Sequence, residues 1–224
     1  MQPVLGVFGG TFDPIHCGHL GLARELRDSL ALSAVRFIPA GDPPHRPAPA
    51  VSAANRLAMV ELAVAHHAGL EVDAREVARK GRSYTVTTLE ELRAEDRGRN
   101  LALIVGADAF LGLPTWHRWR EVFELAHLVV VARPGVTLDN QLSPELALER
   151  SRRRSDHTSV IFSQSAGAIV EPPITAHAIS ASAIRANLAR RDANGMDAVR
   201  GLLPAAVLAY IERNHLYLSL QDAP

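Results

Sequence analysis

The residues with the clearest chemical potential lie in the eleven-residue stretch 9–19, which reads GGTFDPIHCGH. Gly9 and Gly10 follow a short apolar run and carry no side chain that would keep a ligand from the backbone amides. His16 and His19 are three residues apart, so a helix beginning here would place both imidazoles on one face. Amides at a helix start attract anions, but their effective charge of roughly +0.5 needs cationic side chains to balance a polyphosphate. The stretch therefore predicts an anion site that recruits further basic groups.

Other interpretations of the two histidines stay open at this point. One imidazole could cap the helix while the other packs against its neighbours. A zinc pair is disfavoured, because no third and fourth ligand stand at suitable spacing. The stretch matches neither G-x-G-x-x-G nor G-x-x-x-x-G-K-[ST], so the dinucleotide-binding and P-loop fingerprints do not apply.

The elements that must position this stretch alternate along the chain. Apolar runs predict strands at 4–8, 35–39, 70–73, 101–105 and 128–132, with a last extended segment at 169–174. Amphipathic or capped segments predict helices at 19–32, 52–68, 85–96, 118–126, 180–191 and 204–214. The pattern predicts an α/β fold, a doubly wound and mostly parallel sheet with helices on both faces. Its ligand site is expected at the carboxyl ends of the strands.

One domain is predicted over residues 1–224, with a helical C-terminal part at 180–218. The polar segment 139–164, which contains ERSRRRSD, is predicted to be a mobile insertion. Lys+Arg and Asp+Glu are both 24, so the zero net charge argues against a nucleic-acid partner. The apolar runs are too short to cross a membrane, and the N-terminus does not resemble a signal peptide. We therefore predict a cytoplasmic protein; Cys17 alone allows no internal disulfide.

The stretch 9–19 resembles the H-x-G-H signature of the nucleotidylyltransferase superfamily. Further blocks along nearly the whole chain resemble the bacterial nicotinate-nucleotide adenylyltransferase family. They are PPH at 43–45, GRSYT at 81–85, GAD at 106–108, LPTW at 113–116 and ISASAIR at 179–185. The resemblance implies a Rossmann-like fold and adenylyl transfer from ATP to nicotinate mononucleotide, by direct in-line attack without a covalent enzyme intermediate. Mg²⁺ would accompany ATP.

The resemblance also assigns roles to residues. Catalysis would involve His16, His19 and Arg185. ATP would be bound by Gly9, Gly10, Thr11, Phe12, His16, Gly18, His19, Gly106, Asp108, Ile179, Ser180, Ser182 and Arg185. Nicotinate mononucleotide would be bound by His45, Arg46, Thr85, Trp116 and His117. No protein ligand for the metal is evident, and the sequence does not decide between a monomer and a homo-oligomer.

Two positions depart from the family pattern: Ser182 stands where threonine is usual, and Arg46 where lysine is usual. Ser182 keeps the hydroxyl, whereas Arg46 keeps the charge but changes its geometry. Simpler roles compete with the implied ones: a helix cap for Asp108, core burial for Trp116 and a solvated loop for His45. Two alternative functions also remain, another adenylyl- or cytidylyltransferase of the superfamily and a non-catalytic nucleotide-sensing module.

Overall fold

The computed structural model describes residues 3–43, 48–132, 138, 141–175, 179–190 and 193–217, without the side chains of 193 and 194. The strands are β1 (Val4–Gly10), β2 (Ala34–Pro39), β3 (Leu70–Val72), β4 (Asn100–Gly106), β5 (His127–Val131) and β6 (Ile169–Val170). The helices are α1 (Cys17–Ser29), α2 (Ala53–Val64), α3 (Arg75–Ala78), α4 (Thr85–Glu95), α5 (Ala107–Leu111), α6 (Val122–Leu125), α7 (Pro144–Arg153), α8 (Val160–Ser163), α9 (Ala181–Ala189), α10 (Ala193–Val199) and α11 (Ala205–Arg213). Short 3-10 helices span Leu113–Thr115 and Trp119–Glu121.

The six strands form one parallel sheet in the order β3-β2-β1-β4-β5-β6. The chain builds outward from β1 to β3, crosses back, and builds outward again from β4 to β6. Strand order therefore reverses between β1 and β4, where Gly6 lies beside both Val35 and Ala102. The predicted doubly wound α/β fold is confirmed, and the crevice of such a sheet opens at this reversal.

The strands form because both of their faces are covered. All of β5 is buried, and β4 is buried from Asn100 to Val105. Continuous apolar strands of this kind are typical of parallel sheets with helices on both sides. Side chains alternate between two cores: Ala102 and Ile104 pack on one face, while Leu103 packs on the other. These two cores hold the carboxyl ends of the strands in place.

Helical structure forms at each of the six predicted positions, but the ends differ from the predicted ones by a few residues. Helix α1 begins at Cys17, earlier than expected, because His16 takes the capping position. It stops at Ser29, and Ala31 adopts a left-handed φ of 48°, which turns the chain toward β2. Ser52 accepts a hydrogen bond from Asn55 N (3.2 Å), as a predicted cap would. The helix expected at 118–126 is divided into a 3-10 helix and α6.

The segment 139–164 contains helices α7 and α8, which the sequence analysis did not foresee. Ser143 caps α7 by accepting from Leu146 N (3.3 Å), and Leu146 and Ile161 are fully buried. Residues 139 and 140 lie outside the described residues. The segment is thus anchored at two points, and its mobility stays a prediction. Within the described ranges, no helix is both long and apolar enough to span a bilayer.

Replacing Leu146 with alanine is expected to lower the free energy of unfolding by about 2–5 kcal/mol, because a fully buried leucine leaves a cavity. Leu148 on the same helix is 49% exposed, and its replacement by alanine should cost less than about 1 kcal/mol. Urea denaturation of both variants measures the difference. Equal small losses would show that α7 is loosely attached to the sheet.

Candidate active site

The candidate site lies where β1 and β4 end side by side. Gly9 and Gly10 close β1, and Gly106 closes β4 and caps α5. A Cβ built on Gly9 or Gly106 meets no atom within 4 Å, so both backbones face open space. A Cβ on Gly10 would lie 2.9 Å from the Phe12 ring, which explains the glycine there. The predicted approach of a ligand to bare backbone is physically available at this edge.

The two histidines form a stacked pair at the start of α1. Their ring centroids are 3.7 Å apart and their planes differ by 21°. His16 N donates to His19 Nδ1 (3.2 Å), which leaves the proton of a neutral His19 on Nε2. Phe8 and Phe12 contact the His19 ring edge-on, with centroids at 6.0 and 5.2 Å. The predicted placement of both imidazoles on one face is confirmed, and capping and packing roles coexist with it.

Burial controls the charge of this pair. It lowers the pKa of His16 to about 4, and burial together with neighbouring His16 lowers the pKa of His19. Both imidazoles are therefore neutral at pH 7 without an anion. His16 Nδ1 is buried and has no hydrogen-bond partner among the described residues. A bound phosphate would favour the charged imidazoles and raise both pKa values.

Acid should destabilise the protein through His16. The folded protein disfavours protonated His16, so its stabilising contribution is complete above pH 6.5 and is lost as pH falls toward about 4. The shift corresponds to about 3 kcal/mol. Asparagine caps helices well, so His16→Asn is expected to fold and to lose about 3 kcal/mol less than wild type between pH 7.5 and 4. Urea denaturation at both pH values tests this; equal losses would contradict the buried neutral imidazole.

Arg185 reaches the same loop from the C-terminal part of the chain. Ser180 caps α9 by accepting from Ala183 N (3.4 Å), and Arg185 lies one turn further along. Its Nη1 donates to Asp13 O (2.6 Å) and its Nη2 to Ser182 Oγ (3.3 Å). A guanidinium has five N–H donors, so three of them make no hydrogen bond to the residues that the structure describes. The structure thus brings Arg185 and Ser182 to the loop that carries both histidines.

A cavity of about 560 Å³ lies beside Arg185, toward α2 and the C-terminal turn. Asn55, Ala189 and Tyr217 contribute to its wall, whereas the two histidines do not. Of the three predicted catalytic residues, only Arg185 lines this cavity, and its connection to the histidine pair runs through its bond to Asp13 O in the loop before α1. Ile179, just before α9, is half-buried against one core.

The residues predicted to recognise the nicotinate ring gather at the start of α4. Thr85 is the first residue of α4, and the rings of Tyr84 and His117 lie 4.5 Å apart. Trp116 is half-buried against one of the cores, so it combines packing with an accessible part. Trp119 is buried and packs in the same core.

Ser83 links this region to the end of β2: its Oγ accepts from Gly41 N (3.0 Å) and Asp42 N (3.3 Å). His45 and Arg46 come next in the sequence, but they lie outside the described residues, so their roles stay predictions. Asp108 is in the first turn of α5, whose capping position belongs to Gly106 without a side-chain bond. The alternative that Asp108 is a helix cap is therefore wrong.

Three buried residues near the loop were missed by sequence reasoning. Arg56 is 1% exposed, Asp13 7% and Tyr217 9%. Arg56 had a usable signal, because it shares the buried face of α2 with Met59, Val60 and Ala63 at helical spacing. A charged residue on an apolar helix face must find partners inside the protein. Asp13 and Tyr217 offered no such signal, since their contact joins residues 204 positions apart.

Comparison with known proteins agrees with the fold and the motif. The family model described as cytidylyltransferase-like matches residues 7–187. Solved structures of Plasmodium falciparum nicotinic acid mononucleotide adenylyltransferase share the fold, at 12% identity and TM-score 0.73 for the complex with NaAD, and 13% and 0.67 for that with APC. Both matches cover 96% of this chain and 98% of the other. The fold and the motif thus define the class of protein, a cytidylyltransferase-like nucleotidyltransferase.

Sequence relatives narrow this class. A protein of Dechloromonas aromatica (strain RCB), named "Probable nicotinate-nucleotide adenylyltransferase", is 50% identical over 97% of this chain and 99% of its own length. A protein of the same name from Acidithiobacillus ferrooxidans is 45% identical over 96% of each chain. The chain therefore belongs to the nicotinate-nucleotide adenylyltransferase family.

Proposed function

We propose that this chain transfers the adenylyl group of ATP to nicotinate mononucleotide, forming nicotinate adenine dinucleotide and pyrophosphate in NAD biosynthesis. The family of its relatives supports the substrate pair. The observation that carries the chemistry is that Arg185 donates to Asp13 O in the loop between β1 and α1, and this loop leads to the stacked His16–His19 pair. The loop follows the open backbone of Gly9, at the point where strand order reverses.

The proposed reaction is an in-line displacement. A phosphate oxygen of nicotinate mononucleotide forms a bond to the α-phosphorus of ATP, while the bond from that phosphorus to the bridging oxygen breaks and pyrophosphate leaves. A phosphate monoester is already a nucleophile, so the protein need not supply one. Alignment of two bound reactants can contribute roughly 7–11 kcal/mol, and charge stabilisation supplies the remainder.

Each group has a proposed part in this reaction. The amides of Gly9 and Gly10, Thr11, Phe12 and Gly18 would contact ATP, with His16 and His19 on its phosphates. Ile179, Ser180, Ser182 and Arg185 would hold the leaving pyrophosphate. Gly106 and Asp108 would contact the ribose, and the carboxylate of Asp108 can accept a hydrogen bond from a ribose hydroxyl. His45 and Arg46 are proposed to contact nicotinate mononucleotide.

We propose that Mg²⁺ enters as part of the substrate, in complex with ATP. Within the described ranges, no group of three or more His, Cys, Asp or Glu side chains could hold a metal ion. Mg²⁺ commonly keeps several waters and binds through substrate phosphates, so ATP and water would supply most of its ligands. The chain's own contribution is then to bind and orient the phosphates.

Recognition of the nicotinate carboxylate is proposed for backbone amides at Thr85 and near Trp116, with Trp116 and His117 beside the ring. A carboxamide would present an NH₂ group to those donors. A mismatched buried donor costs about 1–3 kcal/mol, or roughly ten- to hundredfold in kcat/KM. Pyrophosphate release with nicotinate mononucleotide, compared with the amide form, tests the proposal. Equal rates would contradict the specificity.

The same assay separates the alternatives. Faster turnover with phosphopantetheine, or with CTP in place of ATP, would favour another transferase of the superfamily. ATP binding without pyrophosphate release would favour a nucleotide-sensing module. A cytoplasmic location and the absence of a nucleic-acid partner also stay proposals.

A further inference from the structure

The loop between β1 and α1 has a conformation that its own residues do not favour. Phe12 has a φ of 49°, in the left-handed region that residues with a side chain seldom adopt. Such a conformation persists when the surrounding structure holds it. The loop directly precedes the His16–His19 pair, so the contacts that fix the loop also fix the position of the two imidazoles.

Arg56 holds the first part of this loop. Its Nη1 donates to Thr11 O (2.7 Å), and its Nη2 donates to Gly41 O (3.1 Å). One guanidinium therefore joins the backbone that follows β1 to the backbone that follows β2, the neighbouring strand. Burial lowers the pKa of Arg56, while nearby Asp13 acts in the opposite direction and so favours the charged form.

Asp13 and Tyr217 hold the next part. One carboxylate oxygen of Asp13 accepts from Tyr217 OH (2.8 Å), and the other accepts from Ala50 N (2.8 Å). Both oxygens are thus engaged inside the protein, which assigns this carboxylate to support and not to ligand binding. The main-chain carbonyl of Asp13 also accepts from Arg185 Nη1 (2.6 Å).

We propose that Arg56, Asp13 and Tyr217 form a brace that sets the position of the loop at residues 11–13 for adenylyl transfer. The three are positioning residues, and they act through the His16–His19 pair and Arg185. Because Arg185 is attached to the same Asp13, a displaced loop moves both sides of the phosphate site together. A displacement of about 1 Å is enough to lower a rate by roughly a hundredfold. This inference rests on the proposed function.

The first test compares Arg56→Lys with Arg93→Lys. Arg93 also donates to backbone carbonyls, of Leu125 (2.7 Å) and Arg99 (2.8 Å), but at the far end of α4. Lysine keeps the charge and lacks the fork that spans two carbonyls. Both variants should lose thermal stability. Arg56→Lys should lower kcat at saturating substrates by about tenfold or more, whereas Arg93→Lys should stay within about twofold of wild type.

A milder pair of variants approaches the brace from its other side. Tyr217→Phe removes the hydroxyl that donates to Asp13 Oδ1. Tyr210→Phe removes a hydroxyl that donates to Asn55 Oδ1 (3.0 Å). Tyr217→Phe should lower kcat by roughly fivefold, and Tyr210→Phe should leave it nearly unchanged. This pair keeps the test decisive even where Arg56→Lys folds poorly.

NMR spectroscopy of the two histidines provides a readout that does not depend on activity. In the protein without nucleotide, the imidazole NMR resonances of His16 and His19 should shift in Arg56→Lys and Tyr217→Phe, and not in the two controls. Unshifted resonances with wild-type kcat, or equal losses of kcat in the controls, would overturn the brace. A wild-type protein that releases no pyrophosphate would refute the proposed function instead, and the resonances would still decide on the brace.

Discussion

Replacement of His19 with alanine is expected to lower kcat by about a hundredfold or more, since one preorganised donor to a developing charge is worth about that much. In neutral His19 the ring proton is on Nε2, because Nδ1 accepts a hydrogen bond from His16 N. The variant loses this donor and the ring that stacks on His16. Steady-state kinetics of pyrophosphate release, at saturating ATP and nicotinate mononucleotide, measures the effect.

The fold should survive this change, because His19 is half-buried and the core around Phe8 and Phe12 remains. His66→Ala provides the control, since His66 is an exposed imidazole beyond the end of α2. It should keep wild-type kcat. A His19→Ala variant that melts like wild type and turns over at an undiminished rate would remove His19 from the proposed reaction.

Arg185→Ala is expected to have the second large effect, a loss of about 100- to 1,000-fold in kcat/KM for ATP. The side chain supplies a fixed positive charge where pyrophosphate would leave, and three of its five N–H donors have no bond within the described part of the chain. Arg185→Lys keeps the charge without the planar fork, and we expect it to recover about tenfold of the loss. KM for nicotinate mononucleotide should change little, because the proposed contact is with the ATP phosphates.

The matched control for this prediction is Arg190→Ala, at the end of the same helix α9. It removes an arginine five residues beyond Arg185, at the C-terminal end of the same helix, and should leave kcat/KM within about twofold of wild type. Equal losses in both variants would point to a general effect on α9. An Arg185→Ala variant with wild-type kinetics would refute the role of the guanidinium.

Strands were predictable because burial on both sides of a parallel sheet requires unbroken apolar runs. The runs before Gly9 and Gly106 mark β1 and β4 within one or two residues. Helix α7 was missed for the opposite reason. Half of its ten residues are charged, and one fully buried residue, Leu146, attaches it to the core. A single anchor leaves little periodicity in the sequence.

The site shows the same division. The spacing of His16 and His19 was enough to place them on one face, since helix geometry is local. The neutral state of the pair was not predictable, because burial by residues from other elements sets its pKa values. The same is true of Arg185, whose partner on the loop is 172 residues away.

By itself the sequence determined the α/β class, the positions of the strands along the chain and the phosphate-type motif. These depend on hydrophobic pattern and on short-range spacing, which are written in neighbouring residues. Only the tertiary structure decided which distant groups meet at the reversal of strand order, and that Arg56, Asp13 and Tyr217 support the loop there. Hydrogen bonds between remote residues depend on the packing of whole elements, and no local pattern encodes that packing.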